Sequence, residues 1–241
     1  MPSRPDRIRL VSYNLKGFRG DRWVAASVVQ VLRPDVLCLQ EVPRLATAAR
    51  RIRAFADECG MAWAGHHRRC GGTTVMITPG RPVVSVAQHR LPVRWPDASR
   101  GYAVAELAPR RGGPADRPAT SAAVPPVSVV SVHLSLRAPE RLAHLHTIVE
   151  SLGDLRRVVL AGDLNEEPGG PVWNTLAEAG LRPVSADEPT FTARNPRWRL
   201  DGIFAGADIG AEPVEVVALG QRDLIAATDH RPIWADLILP T

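Results

Sequence analysis

Polar residues that could bind a metal ion or transfer a proton stand at the ends of several apolar segments. An asparagine follows IRLVSY, a glutamate follows VLCLQ, a histidine follows VVSV, and Asp-Leu-Asn follows VVLAG. Together with similar residues beside GIF and PIWADL, the set is Asn14, Glu41, His133, Asp163, Asn165, Asp201, Asp229 and His230. Such side chains bind hard cations or act as general acids and bases.

The position of these residues favours a shared site over separate structural roles. Taken alone, Asn14 could shape a turn, Glu41 could cap a helix, and Asp163 with Asn165 could form an Asx-turn. A lone strand-end histidine is more often a half-buried structural side chain. The repetition at successive strand ends instead predicts that the side chains converge on one rim, where open sheets place their sites.

The hydrophobic pattern predicts the elements that would position this rim. Apolar residues at spacings of three and four predict helices at 23–32, 45–59, 139–152 and 171–179. Strands are predicted at 8–13, 36–40, 73–77, 83–86, 102–107, 127–134, 158–161, 200–204, 214–219 and 233–239. Fully apolar strands and a mixture of hairpins with strand-helix-strand units predict two packed sheets with helices outside.

The segment from Pro109 to Pro126 contains five prolines and two glycines, which disfavours both helix and strand. It could be an exposed loop or a linker between two domains. Because the polar residues on both sides of it must share one site, we expect a loop within a single domain that spans residues 1–241.

Six short strings carry a resemblance to a known family. They are Ser-Tyr-Asn-Leu at 12–15, Leu-Gln-Glu-Val at 39–42, Ser-Val-His-Leu at 131–134, Gly-Asp-Leu-Asn at 162–165, Leu-Asp-Gly-Ile-Phe at 200–204 and Thr-Asp-His-Arg-Pro-Ile at 228–233. In order and spacing they resemble the signature blocks of the endonuclease/exonuclease/phosphatase superfamily, which has the DNase I-like fold. The strings extend over nearly the whole chain.

The resemblance implies an α/β fold, a four-layer αββα sandwich of two mixed or antiparallel sheets flanked by helices. It also implies divalent-metal-dependent hydrolysis of phosphate esters, usually with Mg²⁺, which Mn²⁺ could replace. That chemistry requires a hard cation at the phosphate oxygens, an in-line water and donors for the equatorial charge. We therefore expect a phosphoesterase that cleaves phosphodiesters, as a nuclease does, or phosphomonoesters.

The eight polar residues can be given roles in this chemistry. Magnesium needs only one or two carboxylates, so Glu41 with Asn14 beside it is a sufficient anchor. The resemblance implies that Asp229 contacts a second metal ion or a water.

His230, oriented by Asp201, is a candidate base because a histidine held by a carboxylate is a tuned proton acceptor. The family resemblance also allows Asp163 to be the base. Asp163 and Asn165 should face the same way if their segment is extended, toward the attacking water and the phosphate.

His133 distinguishes branches of the family. The resemblance makes it a phosphate-oxygen donor or a leaving-group acid. Exonuclease III-type enzymes carry a tyrosine there, so this chain is more similar to the DNase I, phosphatase and small bacterial hydrolase branches. DNase I pairs this histidine with a glutamate, but the corresponding tract here, HHRRCGGTT, contains no acid. A carboxylate partner for His133 is therefore not predicted.

Arginines near the predicted site could bind the phosphate. The candidates are Arg69, Arg197 and Arg199, with Trp198 interleaved as a surface on which a base could stack. The alternative is a solvated face in an arginine-rich chain. Four other tryptophans, Trp23, Trp63, Trp173 and Trp234, are expected in the core.

Composition limits the remaining possibilities. The chain has 30 basic and 25 acidic residues, and all basic residues but Lys16 are arginine. Three cysteines without a C-x-x-C pair argue against a disulfide framework or structural zinc, and together with the absence of a signal-peptide pattern they favour the cytoplasm. No apolar stretch is long enough to span a membrane. We expect a monomer acting on a phosphate ester or a nucleic acid; the alternative is a catalytically inactive protein that binds phosphate or nucleic acid.

Overall fold

The computed structural model describes residues 6–44, 46–65, 71–110 and 124–240. Its helices are α1 (Arg22–Leu32), α2 (Ala48–Cys59), α3 (Ala138–Leu152), α4 (Pro171–Glu178) and α5 (Gln221–Ala227), and a short 3-10 turn covers Lys16–Phe18. Its strands are β1 (Asp6–Asn14), β2 (Val36–Gln40), β3 (Thr74–Ile77), β4 (Val83–Leu91), β5 (Arg100–Leu107), β6 (Val127–His133), β7 (Val158–Asp163), β8 (Arg182–Pro183), β9 (Asp201–Ala205), β10 (Gly210–Ala211) and β11 (Ile233–Leu239).

The strands form two sheets, in the orders β10-β11-β1-β2-β3 and β4-β5-β6-β7-β9-β8. The pairs β1–β2 and β6–β7 are parallel, and the other pairs are antiparallel. Both parallel pairs are joined through a helix, as parallel neighbours require a long crossover. The predicted α/β fold of two packed sheets is confirmed.

Three apolar clusters fill the spaces between the layers of this sandwich. The central cluster joins the inner faces of the sheets and includes Leu10, Cys38, Val129 and Ala161. A second cluster lies between the first sheet and the helices α1 and α2, and a third lies between the other sheet and the helices α3 and α4. Because both faces of the sheets are covered at β2 and β7, these two strands are buried along their full length, which explains their uninterrupted apolar sequence.

A buried polar link also joins the sheets close to the end of β2. The side-chain amide of Gln40 donates to the Ser131 hydroxyl at 3.1 Å, and that hydroxyl donates to the Leu39 carbonyl at 3.2 Å. Buried hydrogen bonds of this kind favour one relative placement of two packed surfaces. The link therefore holds the carboxyl ends of β2 and β6 next to each other.

Two sequence-based expectations about the fold are wrong. Residues 214–219 form no strand, because the chain leaves the sheet after β10 and the hydrogen bond from the Glu212 N–H to the Asp236 carbonyl. Trp23 is 64% exposed, since it lies in the first turn of α1 on the outer face, where the Arg22 guanidinium covers its ring. Trp173 is buried as expected, and Trp63 and Trp234 are partly buried.

The remaining differences concern boundaries. The helix expected from residue 45 begins at Ala48, and residue 45 itself lies outside the described residues. Of the predicted loop, residues 111–123 also lie outside them, and its described parts contain neither helix nor strand. None of the helices in the described ranges is long and apolar enough to cross a bilayer.

Candidate active site

Strand direction explains why the predicted polar residues meet. Asn14 ends β1, and Glu41 directly follows its parallel neighbour β2, so both residues lie at the carboxyl ends of these two strands. In the second sheet, the register places His133 beside Asp163 and Asp163 beside Asp201. His230, which precedes β11, completes the group from the first sheet. The site therefore lies where the same ends of both sheets face each other.

Asp163 is at the centre of this group. One carboxylate oxygen, Oδ2, accepts a hydrogen bond from the Asn14 amide at 2.9 Å and lies 3.5 Å from His133 Nε2 and 3.7 Å from His230 Nε2. The other oxygen accepts from the backbone N–H of Asn165 at 2.9 Å. The side chain is 2% exposed. Burial raises the pKa of the Asp163 carboxyl, and the charge of Asp201 adds to this while His230 opposes it.

His230 and Asp201 form a hydrogen-bonded pair. His230 Nδ1 lies 2.9 Å from Asp201 Oδ2, which also accepts from the Thr190 hydroxyl at 2.5 Å. The ring of Phe191 packs against the imidazole with centroids 4.9 Å apart. Burial alone would lower the pKa of His230, but the charges of Asp201 and Asp163 and the hydrogen bond to Asp201 outweigh it and raise the pKa.

His133 has a different environment. The side chain is 2% exposed, and its Nδ1 has no hydrogen-bond partner among the residues that the structure describes. Burial, followed by the positive charge of Arg100, lowers the pKa of His133 well below its usual value. The imidazole is therefore neutral near neutral pH. The tract expected to lack a carboxylate partner overlaps residues 66–70, which lie outside the described part of the chain.

Glu41 is the carboxylate best placed to hold a cation. Its Oε1 lies 3.4 Å from the Asn14 amide nitrogen and 3.9 Å from His133 Nε2, and its side chain is 33% exposed. In the described ranges, no lysine or arginine forms an ion pair with it. A carboxylate that no lysine or arginine of these ranges pairs with fits a hard divalent ion. Asp163, Asp201 and His230 also place possible ligand atoms within 4.8 Å of one another.

Gly162 allows β6 and β7 to approach closely just before Asp163. A Cβ atom at this position would lie 2.0 Å from the Val132 carbonyl oxygen. Any side chain would therefore push the strands apart where the register sets His133 beside Asp163. This explains the glycine in the Gly-Asp-Leu-Asn string.

Asn165 and Asp229 lie at the margin of the group. The segment after Asp163 is not extended as expected, because Asn165 has φ 52° and its N–H closes an Asx-turn on Asp163. The Asn165 amide donates to the Leu134 carbonyl at 2.9 Å, so the two side chains do not point the same way. Asp229 forms an ion pair with Lys16 at 2.7 Å, and its role as a metal contact stays a prediction.

The predicted arginines are not brought to the centre of the site. Arg69 lies outside the described residues. Arg197 is exposed, whereas Arg199 packs on the Trp173 ring and pairs with Asp187 at 2.6 Å. These contacts occupy the guanidinium of Arg199, and the role of the three arginines in substrate binding stays a prediction.

Sequence reasoning missed Thr190, which contacts the site residue Asp201, and Arg100, which contacts the backbone beside His133. Thr190 holds Asp201, and Arg100 donates from Nε to the Leu134 carbonyl at 3.0 Å, the same carbonyl that binds Asn165. Thr190 lies outside the strands and has no periodic pattern around it. Arg100 begins β5, and its place in the predicted hairpin region carried no sign that its side chain would turn back toward β6.

Comparisons with known proteins agree with this architecture. The structure is similar to that of an endonuclease/exonuclease/phosphatase from Beutenbergia cavernae DSM 12333, with 21% identity and a TM-score of 0.69 over 98% of this chain and 72% of that chain. The protein of the same description from Bacteroides vulgatus gives 17% identity and a TM-score of 0.73 over 98% and 100% of the two chains. ANGEL2, a 2',3'-cyclic phosphatase in complex with adenosine-2',3'-vanadate, has 16% identity to this chain. Its TM-score is 0.69, over 98% of this chain and 96% of that chain.

A comparison with curated protein sequences found no match. The model of the endonuclease/exonuclease/phosphatase family, whose members hydrolyse phosphate esters, matches residues 11–230. This range contains all eight polar residues with which the sequence analysis began. The chain belongs to the endonuclease/exonuclease/phosphatase family.

Proposed function

We propose that this protein is a divalent-metal-dependent phosphoesterase that hydrolyses a phosphodiester or phosphomonoester by in-line attack of water. The observation that carries the proposal is the placement of Asp163, buried and within reach of two histidines, next to Glu41, which has no ion pair with a lysine or arginine of the described ranges. This arrangement offers a proton acceptor, two imidazoles close to the same carboxylate oxygen and a candidate cation site in a single group.

Glu41, with Asn14 beside it, would hold Mg²⁺ or Mn²⁺. Carboxylate and amide oxygens suit both ions, and Mg²⁺ needs few protein ligands. When bound, the cation would neutralise phosphate charge and polarise the attacking water. The Asp201 carboxylate is already shared between Thr190 and His230, which makes it a poorer ligand than Glu41.

Asp163 is our choice for the base and His230 for the positively charged donor. Two carboxylates, Asp201 on Nδ1 and Asp163 beyond Nε2, favour the protonated form of His230, and an imidazolium cannot accept a proton. It can stabilise charge on a phosphate oxygen. Burial raises the pKa of Asp163, which makes this carboxylate a stronger base than an exposed one. The reverse assignment, with His230 as base, is separated from this one by a pH experiment below.

His133 would donate from a neutral ring. Its Nε2 faces Asp163 and Glu41, so this nitrogen can carry the proton and direct it toward a phosphate oxygen or a leaving group. The absence of a carboxylate on Nδ1 within the described residues agrees with a neutral rather than a charged donor. We expect both histidines to contact the same phosphate from different sides.

The substrate class is tested by a panel. It would contain plasmid DNA, abasic duplex, RNA, inositol phosphates, sphingomyelin and adenosine 2',3'-cyclic phosphate, the last because one structural neighbour is a 2',3'-cyclic phosphatase. Each is incubated with Mg²⁺ or Mn²⁺ and again with EDTA. We expect EDTA-sensitive hydrolysis of at least one substrate. We also expect the active protein to be a monomer. Turnover that is lost in His230→Ala excludes a binding protein without catalysis, whereas binding without turnover would establish it.

A further inference from the structure

A basic pocket lies beside the active site. It is a cavity of about 470 Å³. Its lining includes Lys16, Arg19, Ala193, Arg194, Thr228 and Asp229. Three of these carry positive charge and one carries negative charge.

The basic pocket and the active site share their boundary. Lys16 donates its backbone N–H to the Asn14 side chain at 3.0 Å, and the Thr228 hydroxyl donates to the Asn14 backbone carbonyl at 3.0 Å. Asp229 directly precedes His230 in the chain. A substrate with its scissile phosphate at Asp163 and His230 would therefore extend over this boundary into the basic pocket.

The charges of the basic pocket are not balanced. Lys16 and Asp229 neutralise each other at 2.7 Å. Arg19 and Arg194 are exposed, and neither guanidinium has a hydrogen bond or an ion pair within the described ranges. Most other arginines near the site are engaged, as Arg100 and Arg199 are. The basic pocket thus carries two unpartnered guanidinium groups, which are suited to bind a phosphate in a bidentate manner.

The walls of the basic pocket are held by close backbone contacts. A Cβ atom on Gly20 would lie 2.1 Å from the Ala227 carbonyl oxygen, so the loop after Lys16–Phe18 packs directly on α5. On the other side, the Ala193 N–H donates to the Asp229 carbonyl at 2.6 Å. The Gln221 amide donates to the carbonyls of Ala193 and Arg194. The backbone that carries both free arginines is therefore fixed before any ligand binds.

We propose that the basic pocket binds a second phosphate of the substrate, one that flanks the phosphate being cleaved. This inference rests on the proposed function and narrows it to substrates with at least two phosphate groups. The shared chemistry is a phosphate within one nucleotide of the scissile bond. It could come from a terminal phosphate of a short nucleotide or from the continuous backbone of a strand.

Kinetics with matched substrates test this assignment. The substrates are TpT, the terminally phosphorylated pTpT and TpTp, and a longer oligothymidylate, with bis(p-nitrophenyl) phosphate as a diester that has no second phosphate. The variant is Arg19→Gln with Arg194→Gln. The control is Arg33→Asn, which removes a charge at the opposite end of the sheet, where asparagine tolerates the left-handed backbone at φ 49°.

We expect kcat/KM to be about tenfold or more higher for a substrate with a flanking phosphate than for TpT, because hydrogen bonds to charged groups are strong. The double variant should lose this advantage and keep its rate on bis(p-nitrophenyl) phosphate. Preference for pTpT or TpTp would assign a terminal phosphate, and preference for the oligothymidylate alone would assign a strand. Equal preference in wild type and double variant would overturn the proposal.

A binding measurement separates this proposal from the proposed function. Inorganic tripolyphosphate is titrated calorimetrically into the protein in EDTA, so that turnover plays no part. We expect binding by wild type and Arg33→Asn and at least about tenfold weaker binding by the double variant. If wild type and double variant bind tripolyphosphate equally, the basic pocket is not a phosphate site, whatever the outcome of the activity assays. If binding depends on both arginines but no diester is hydrolysed, the proposed function fails and the phosphate site stands.

Discussion

His230 Nδ1 lies 2.9 Å from Asp201 Oδ2, and the Thr190 hydroxyl donates to the same oxygen. The shared oxygen fixes the carboxylate from two directions, and the carboxylate in turn fixes the imidazole. The other ring nitrogen is then directed toward Asp163, 3.7 Å away. A hydrogen bond on one ring nitrogen thus determines what the second nitrogen can do in catalysis.

Replacing Asp201 with asparagine should move the alkaline limb of the pH-rate profile. The negative charge of Asp201 helps to raise the pKa of His230, so its removal lowers that pKa. If His230 acts as an imidazolium, activity falls as pH rises through its pKa, and the alkaline limb of Asp201→Asn moves to lower pH. If His230 is instead the base, the acidic limb moves to lower pH. Asp187→Asn, at an 89% exposed side chain, should leave both limbs in place.

Asp201 and His230 should also act as a unit when both are replaced in a double variant. Asp201 is expected to work mainly through the ring that it orients. Asp201→Asn combined with His230→Ala should therefore have nearly the same kcat as His230→Ala alone, as for other groups that act together. Strictly additive losses, measured with one substrate under one set of conditions, would show that the two side chains act independently.

Glu41→Gln should weaken metal binding without unfolding the protein. The side chain is 33% exposed and keeps its size in the variant, but it loses the negative charge that a hard cation requires. We expect a higher Mg²⁺ concentration for half-maximal activity and most of the rate to be lost. Glu178→Gln, an exposed position on α4, is the matched control. An unchanged Mg²⁺ titration in Glu41→Gln would place the cation elsewhere.

His133 should make the protein less stable in acid. Burial lowers its pKa in the folded state, so below about pH 6.5 the unfolded chain takes up a proton that the folded protein does not. One such proton costs up to about 1.4 kcal/mol of unfolding free energy for each pH unit between the two pKa values. Urea denaturation in EDTA should therefore show a weaker pH dependence for His133→Asn than for wild type. Parallel curves would mean that His133 is not kept neutral by the fold.

The positions of the catalytic elements could be predicted because local patterns determine them. Polar residues such as Asn14 and Asp163 directly end apolar strands, and burial on both faces explains why those strands read as uninterrupted apolar sequence. The contacts of Thr190 with Asp201 and of Arg100 with Leu134 could not be predicted in the same way. They depend on how loops and a hairpin fold back in three dimensions, and no periodicity records that.

The partners of the arginine side chains also depend on the three-dimensional fold and not on a local sequence pattern. The run that ends at Arg199 looks uniform in sequence, but Arg199 packs on Trp173, whereas Arg194 lines the basic pocket and has no side-chain partner among the described residues. The apolar run at 214–219 has strand propensity but forms no strand, because the chain leaves β11 after Glu212, which only the tertiary fold determines.

Shortening the segment between β5 and β6 should preserve the fold. Leu107 and Val127 are direct partners in the antiparallel register, so the two strands need only a tight turn to connect them. Replacing residues 109–126 with a short glycine-containing turn is expected to leave soluble expression and hydrolysis of bis(p-nitrophenyl) phosphate unchanged. Insoluble protein would contradict this, whereas loss of a single panel substrate would assign the segment to specificity.

The most direct test of the account is the initial rate of p-nitrophenolate release from bis(p-nitrophenyl) phosphate by wild type, Asp163→Asn and Asp57→Asn. Asp57 is an exposed aspartate on α2 and serves as the matched control. We predict turnover by wild type and Asp57→Asn that EDTA abolishes and Mg²⁺ restores, and a rate about 10²–10⁴ lower for a folded Asp163→Asn. Equal rates for Asp163→Asn and wild type, or activity that is insensitive to EDTA, would contradict the account.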